Sequence, residues 1–209
     1  YGTYVMENVL FKISFPAEFH AQTACEAAVT LHPHVKDRLH DIERIVITTH
    51  ESAIRIISKV GQLANAADRD HCLQYMTAVP LAFGNLVAEQ YEDEFHAARP
   101  IIDELRNKMV IVEDPRYSRE YLEADKRSIA NAVQVFFKDG SCTEPVAVEY
   151  PIGHRRRRVD GIALLEDKFK ANLATRFTAQ RSGEIFALCK DQARLEATPV
   201  NRFVDLFVI

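Results

Sequence analysis

Glycine and proline are scarce in this chain, 7 and 8 among 209 residues, and tryptophan is missing altogether. So few chain breakers argue against long linkers, and no stretch is of low complexity. No apolar run reaches 18 residues, and the opening residues lack the charged-then-apolar pattern of a secretory leader, so no membrane partner is expected. Cys25, Cys72, Cys142 and Cys189 are far apart, with no CxxC pair. Structural zinc and thioredoxin-type chemistry both need close pairs, so no metal is expected. Scattered cysteines instead suggest free, mostly buried thiols in a reducing cytoplasm. A glycine-rich turn between a strand and a helix is also lacking, which argues against a dinucleotide fold.

Basic charge is not in excess either. Lys and Arg number 26 against 30 Asp and Glu, a net −4. Yet "PIGHRRRRVDG", 151–161, packs four arginines together, and the chain without them would stand at −8. One basic tetrad on an acidic background suits local anion capture better than tracking a phosphate backbone, so no nucleic acid is expected.

The rest of the chain reads as a mixed α+β layout. Residues 20–31 are alanine-rich and helical, with "HPH" at 32–34 expected to stop the run. "IERIVITTH", 42–50, reads as a buried strand. Residues 68–86 read as one buried apolar helix capped by Asp68, with Pro80 as the place for a kink. A helix over 98–109 and a short strand "VIVED" follow. Residues 129–151 form the clearest local structure, two β-rich arms around an Asp139-Gly140 turn. From Gly161 onward the pattern is helical, with Ser182 as a cap. Strands in the middle and helices at the end predict a small mixed or antiparallel sheet covered by helices.

Three stretches carry candidate chemistry. In "FKISFPAEFHAQTA", Lys12, Glu18 and His20 flank a Phe-Pro elbow that leads into a helix. This suits a hydrophobic staple with solvated charges, and equally an anion site with a titratable histidine. In "AADRDHCLQYM", Asp68, Arg69, Asp70 and His71 open the apolar helix, and His71 and Tyr75 would share a face. Asp capping and Arg–Asp pairing explain this pattern, as does an Arg that grips a carboxylate beside a proton-moving His. The polar "GHRRRR", too short to pack as a helix before Gly161, follows Gly153 and His154 at the expected end of a strand. It is either a solvated charge run or a cluster of guanidiniums relieved by carboxylates.

"VMENVLFKISFPAEFHAQTACEAA", "ADRDHCLQYMTAVPLAFG" and "YPIGHRRRRVDGIALLEDKFKANL" together closely resemble the MmgE/PrpD family, in order and over almost the whole chain. The Phe-Pro elbow and the arginine run look like its dehydratase branch. The decarboxylase and epimerase branches usually carry a Thr-His pair near the elbow, where this chain reads "EFHAQT".

The resemblance implies a large helical domain, an inserted α/β lid and an active-site cleft between them. On that pattern residues 1–11 lead in from the helical domain, 12–152 are the lid and 153–209 are returning helices. The larger helical portion of the same protein, with its own catalytic groups, would lie outside this chain as its partner, and the full-length protein would be a homodimer. The chain, opening on Tyr1, is then expected to be one wall of the site and inactive alone. The implied reaction is elimination of water from 2-methylcitrate to 2-methyl-cis-aconitate in propionate breakdown, with no iron–sulfur cluster or other cofactor. A tricarboxylate carries about three negative charges at neutral pH. The expected carboxylate-binding groups are Lys12, Arg69, His154 and Arg155, and the expected proton-transfer groups are His20 and His71. Other readings are another branch of the family, acting on citrate or cis-aconitate, or a non-catalytic α/β interaction domain.

Overall fold

A computed structural model describes residues 13–209. The chain divides into two compact units, and the division falls inside the arginine run, between Arg157 and Arg158.

The first unit is an α+β layer built on four strands. They are β1 (Ile42–Thr49), β2 (Met109–Glu113), β3 (Asn131–Phe137) and β4 (Val146–Val148), in the order β2-β1-β3-β4. The β1–β2 pair is parallel and the other two pairs are antiparallel, so the sheet is mixed, as expected. The Asp139-Gly140 turn joins β3 to β4, with Gly140 at φ +84° where a side chain would be strained. Ile45, Ile47, Val133 and Val135 alternate onto one buried face of the sheet.

Two helices cover that face. The first, α1, spans Gln22–Val35, and α4 spans Leu73–Phe83; they pack on one another, and α1 also lies on β3 and β4. Between β1 and α4 come two short helices, α2 (Glu51–Ile57) and α3 (Ala66–Asp70). After α4 come α5 (Asp93–Ala97), α6 (Ile101–Asn107) and, beyond β2, α7 (Pro115–Leu122).

The expected stop at "HPH" is overturned: α1 runs through Pro33 to Val35. Leu31 and Val35 are buried against the sheet and α4, and that packing outweighs the N–H that Pro33 lacks. Proline is accommodated in α4 as well. Pro80 cannot donate to the carbonyl of Met76, and the Cys25 thiol donates to that oxygen instead, at 3.1 Å. His32 Nδ1 donates to the carbonyl of Leu81 at 2.9 Å, so α1 satisfies backbone groups that α4 leaves open.

The single helix expected over 68–86 is in fact two, broken at His71 and Cys72. Asn65, not Asp68, caps α3 by accepting from the Asp68 N–H at 2.9 Å, and Asp68 accepts from the Ala64 N–H at 3.0 Å. The helix α4 ends at Gly84, left-handed at φ +78°, as a C-terminal glycine cap.

The second unit holds α8 (Arg158–Ala174), α9 (Ala179–Lys190), α10 (Gln192–Ala197) and α11 (Val200–Asp205). Its core is small, with Leu173, Ile185 and Leu188 buried and Phe169 beside Phe186. Thr178, rather than Ser182, caps α9, accepting from the Arg181 N–H at 3.3 Å. The arginine run is helical, against expectation: Arg155–Arg157 form a 3-10 turn and Arg158 starts α8. His154 and Gly153 follow β4 at a distance rather than ending it. No described helix is long and apolar enough to cross a membrane.

Candidate active site

The parallel pair β1–β2 delivers two helix starts to one end of the sheet, the end at which ligand sites form in such pairs. At the end of β1, His50 caps α2, its Nδ1 accepting from the Ala53 N–H at 3.4 Å. At the end of β2, Asp114 caps α7, accepting from the Arg116 N–H at 2.7 Å, with Pro115 in the first helical position. The Asp114 N–H donates to the carbonyl of Thr49 at 2.9 Å and ties the two strand ends together. On α7, Tyr117 is buried and Tyr121, one turn further along, is half-buried.

His20 comes to the same end from the Phe-Pro elbow. It lies in a 3-10 turn, Phe19–Ala21, whose cap is Glu18. The Glu18 carboxylate accepts from the His20 N–H at 2.8 Å and meets His20 Nδ1 at 2.9 and 3.0 Å. Behind it, Asn131 at the start of β3 donates to the His20 carbonyl at 2.8 Å and to Thr23 at 2.7 Å. His20 Nε2 meets the Tyr121 hydroxyl at 3.1 Å. The Tyr121 ring stacks on His50, with centroids 4.7 Å apart and planes 10° from parallel.

The electrostatics follow from burial. Desolvation would raise the Glu18 carboxyl, but the hydrogen bonds and charge of His20 outweigh it and hold Glu18 below its ordinary value, ionised at neutral pH. Burial pushes His50 down to about 4, the nearby His20 adds to the shift and Glu18 opposes it. His50 is therefore neutral. With Nδ1 accepting, its proton sits on Nε2, which is buried with no partner among the described residues. An ionised carboxylate, an imidazole and a phenol in sequence can move a proton.

Arg69 and His71 stand elsewhere. Arg69, 2% exposed, donates Nε to the Tyr91 carbonyl at 2.6 Å and is paired with Asp93, with His96 also in reach. It borders a cavity of about 610 Å³ that Asp93, His96, Asp103 and Arg106 also line. His71 is on the surface, its Nδ1 2.5 Å from Asp70, and it does not share a helix with the buried Tyr75.

His154 is buried, its ring 4.6 Å from Tyr150 and its Nδ1 accepting from the Arg156 N–H at 3.2 Å. Arg155 is exposed. Arg157 makes a two-pronged ion pair with Glu26 at 2.8 and 2.9 Å, and Arg156 donates to the Asp125 carbonyl. Part of the arginine run is thus relieved by this chain's own acceptors. Lys12 lies outside the described residues. All four cysteines are free, Cys25 and Cys72 being buried.

Of the residues singled out in the sequence, this end of the sheet brings together His20 and Glu18. The partners His50, Tyr121 and Asn131 escaped the sequence reading. A signal existed for two of them: His50 directly ends a β-branched run, and "DPRYSREY" sets a capping Asp-Pro before two tyrosines four apart.

A family model described as the MmgE/PrpD C-terminal domain matches residues 15–192, and the chain belongs to that family. It is 56% identical along its whole length to the 2-methylcitrate dehydratases of Cupriavidus necator and Salmonella typhimurium. It is 51% identical to the mitochondrial 2-methylcitrate dehydratase of Yarrowia lipolytica. The chain spans 44% of the first two relatives and 40% of the third.

Proposed function

We propose that this chain forms the C-terminal part of a hydro-lyase that removes water from 2-methylcitrate, working with a helical portion beyond these residues. The observation that carries the reading is the match along the whole chain to relatives named for that reaction. The chemistry at the end of β1 supports it. Dehydration needs a group to take a proton from the carbon beside a carboxylate and a proton for the departing hydroxyl. The Glu18–His20 pair is built to handle that proton, since the carboxylate orients the ring and stabilises its cation.

Lys12 and Arg155 are proposed as the cationic groups that draw the substrate's carboxylates, with His154 as a further substrate-binding group and His71 as a second proton-transfer group. Arg69 has its guanidinium committed to Tyr91 and Asp93 and is proposed to shape the cavity wall instead. Free thiols, one of them exposed, support a reducing compartment, for which we propose the cytoplasm. The homodimer rests on the family resemblance.

The test is turnover by the full-length enzyme on 2-methylcitrate, citrate and cis-aconitate. Preference for 2-methylcitrate is expected, with kcat falling about 10²–10⁴-fold in His20→Ala. Decarboxylation of cis-aconitate as the faster reaction would move the chain to another branch.

A further inference from the structure

His20 is 7% exposed, and both of its ring nitrogens are already engaged. Glu18 and Tyr121 are the half-buried groups of this set; Glu18 is spent on the Nδ1 side of the ring, and the phenol lies beyond Nε2. We propose that Tyr121 is the catalytic residue of the cluster: its oxygen meets the substrate, and Glu18 and His20 act through it. The inference rests on the dehydration reading above.

The hydrogen bonds fix the direction of the relay. The Glu18 carboxylate can only accept, so His20 carries a proton on Nδ1; whenever Nε2 is unprotonated it accepts from the Tyr121 hydroxyl. A substrate cannot reach Nε2 without displacing that phenol. His50 holds the phenol ring in place from its stacked face, and its Nδ1, occupied by the Ala53 N–H, does not compete for the hydroxyl proton. His50 is therefore a positioning residue. Among the described residues, the titratable groups at the phenol are His20 on the elbow, with Glu18 behind it, and His50 at the cap of α2. Tyr117 and Glu120 belong to α7 itself.

In the reaction, the phenol oxygen takes the proton from the carbon beside a carboxylate while its own proton passes to His20 Nε2. The electron pair of the broken C–H bond forms the C=C bond, and the C–O bond to the hydroxyl breaks. The departing hydroxide takes a proton from the phenol, which recovers one from His20. Substrate becomes alkene and water, and the relay is reset. Glu18 stabilises the imidazolium in between.

The test uses the full-length enzyme in three forms: unmodified, Tyr121→Phe, and with a ring-fluorinated tyrosine at 121. Tyr121→Phe keeps the ring against His50 and removes the hydroxyl; kcat is expected to fall about 10²–10⁴-fold with KM little changed. The fluorinated phenol is more acidic, so the pH profile of kcat should move to lower pH, which a purely structural role would not produce. Should Tyr121→Phe fail to fold, the fluorinated form decides alone. Retained kcat in Tyr121→Phe, or an unmoved profile, overturns the inference while the dehydration reading stands. An unmodified enzyme that leaves 2-methylcitrate untouched sinks that reading instead.

Discussion

A buried histidine that refuses its proton makes the fold sensitive to acid. His50 binds a proton at about 4 when folded against 6.5 when unperturbed. Above that ordinary value neither state is protonated and the full stability is present. As pH falls towards 4 the unfolded chain takes up the proton and the fold does not, so stability drops by about 3 kcal/mol in total. Melting of the full-length protein across this range should show the loss, and His50→Asn, which keeps a capping oxygen, should flatten it. An unchanged slope in that variant would remove His50 as the cause. Arg69 gives a second prediction. Arg69→Ala leaves Asp93, 74% exposed, in solvent, but orphans the Tyr91 carbonyl and opens a void. A loss of about 2–4 kcal/mol is expected by denaturant titration. A higher KM with unchanged stability would return Arg69 to the substrate. His20 was legible in the sequence because its elbow is local. Tyr121 was not, since it stands 101 residues away and meets His20 only through the sheet.

Elements show the same division. The hairpin was readable because Asp139-Gly140 sets its own turn, and β1 because its run is β-branched and apolar. The end of α1 was not, because what carries it past Pro33 is its contact with α4 and the sheet. Nor was the helical entry of the arginine run, where Arg157 gains Glu26 from 131 residues away. At Gly84, the C-cap of α4, the His32 ring of α1 comes close. A Cβ there would stand 2.8 Å from the His32 ring, which itself holds the Leu81 carbonyl, and the backbone is left-handed. Gly84→Ala should therefore cost about 2–3 kcal/mol, from left-handed strain plus the displaced contact. A melting temperature equal to the parent's would show that α1 can yield there.

For the whole molecule, the chain covers less than half of the relatives it matches, 44% for the first two. Its second unit leaves Val159, Val200, Val208 and Ile209 well exposed. Under the proposed function the rest of the enzyme covers such apolar surface, so the chain alone should self-associate in light scattering as concentration rises. A monomer at all concentrations would count against that cover. The most direct test mixes the purified chain with 2-methylcitrate and follows the conjugated product by ultraviolet absorbance, beside the full-length enzyme. Product from the full-length enzyme only is the predicted result and makes the Glu18–His20–Tyr121 relay one wall of a shared site. Equal product from the chain alone would contradict it and place the whole catalytic set within these 209 residues.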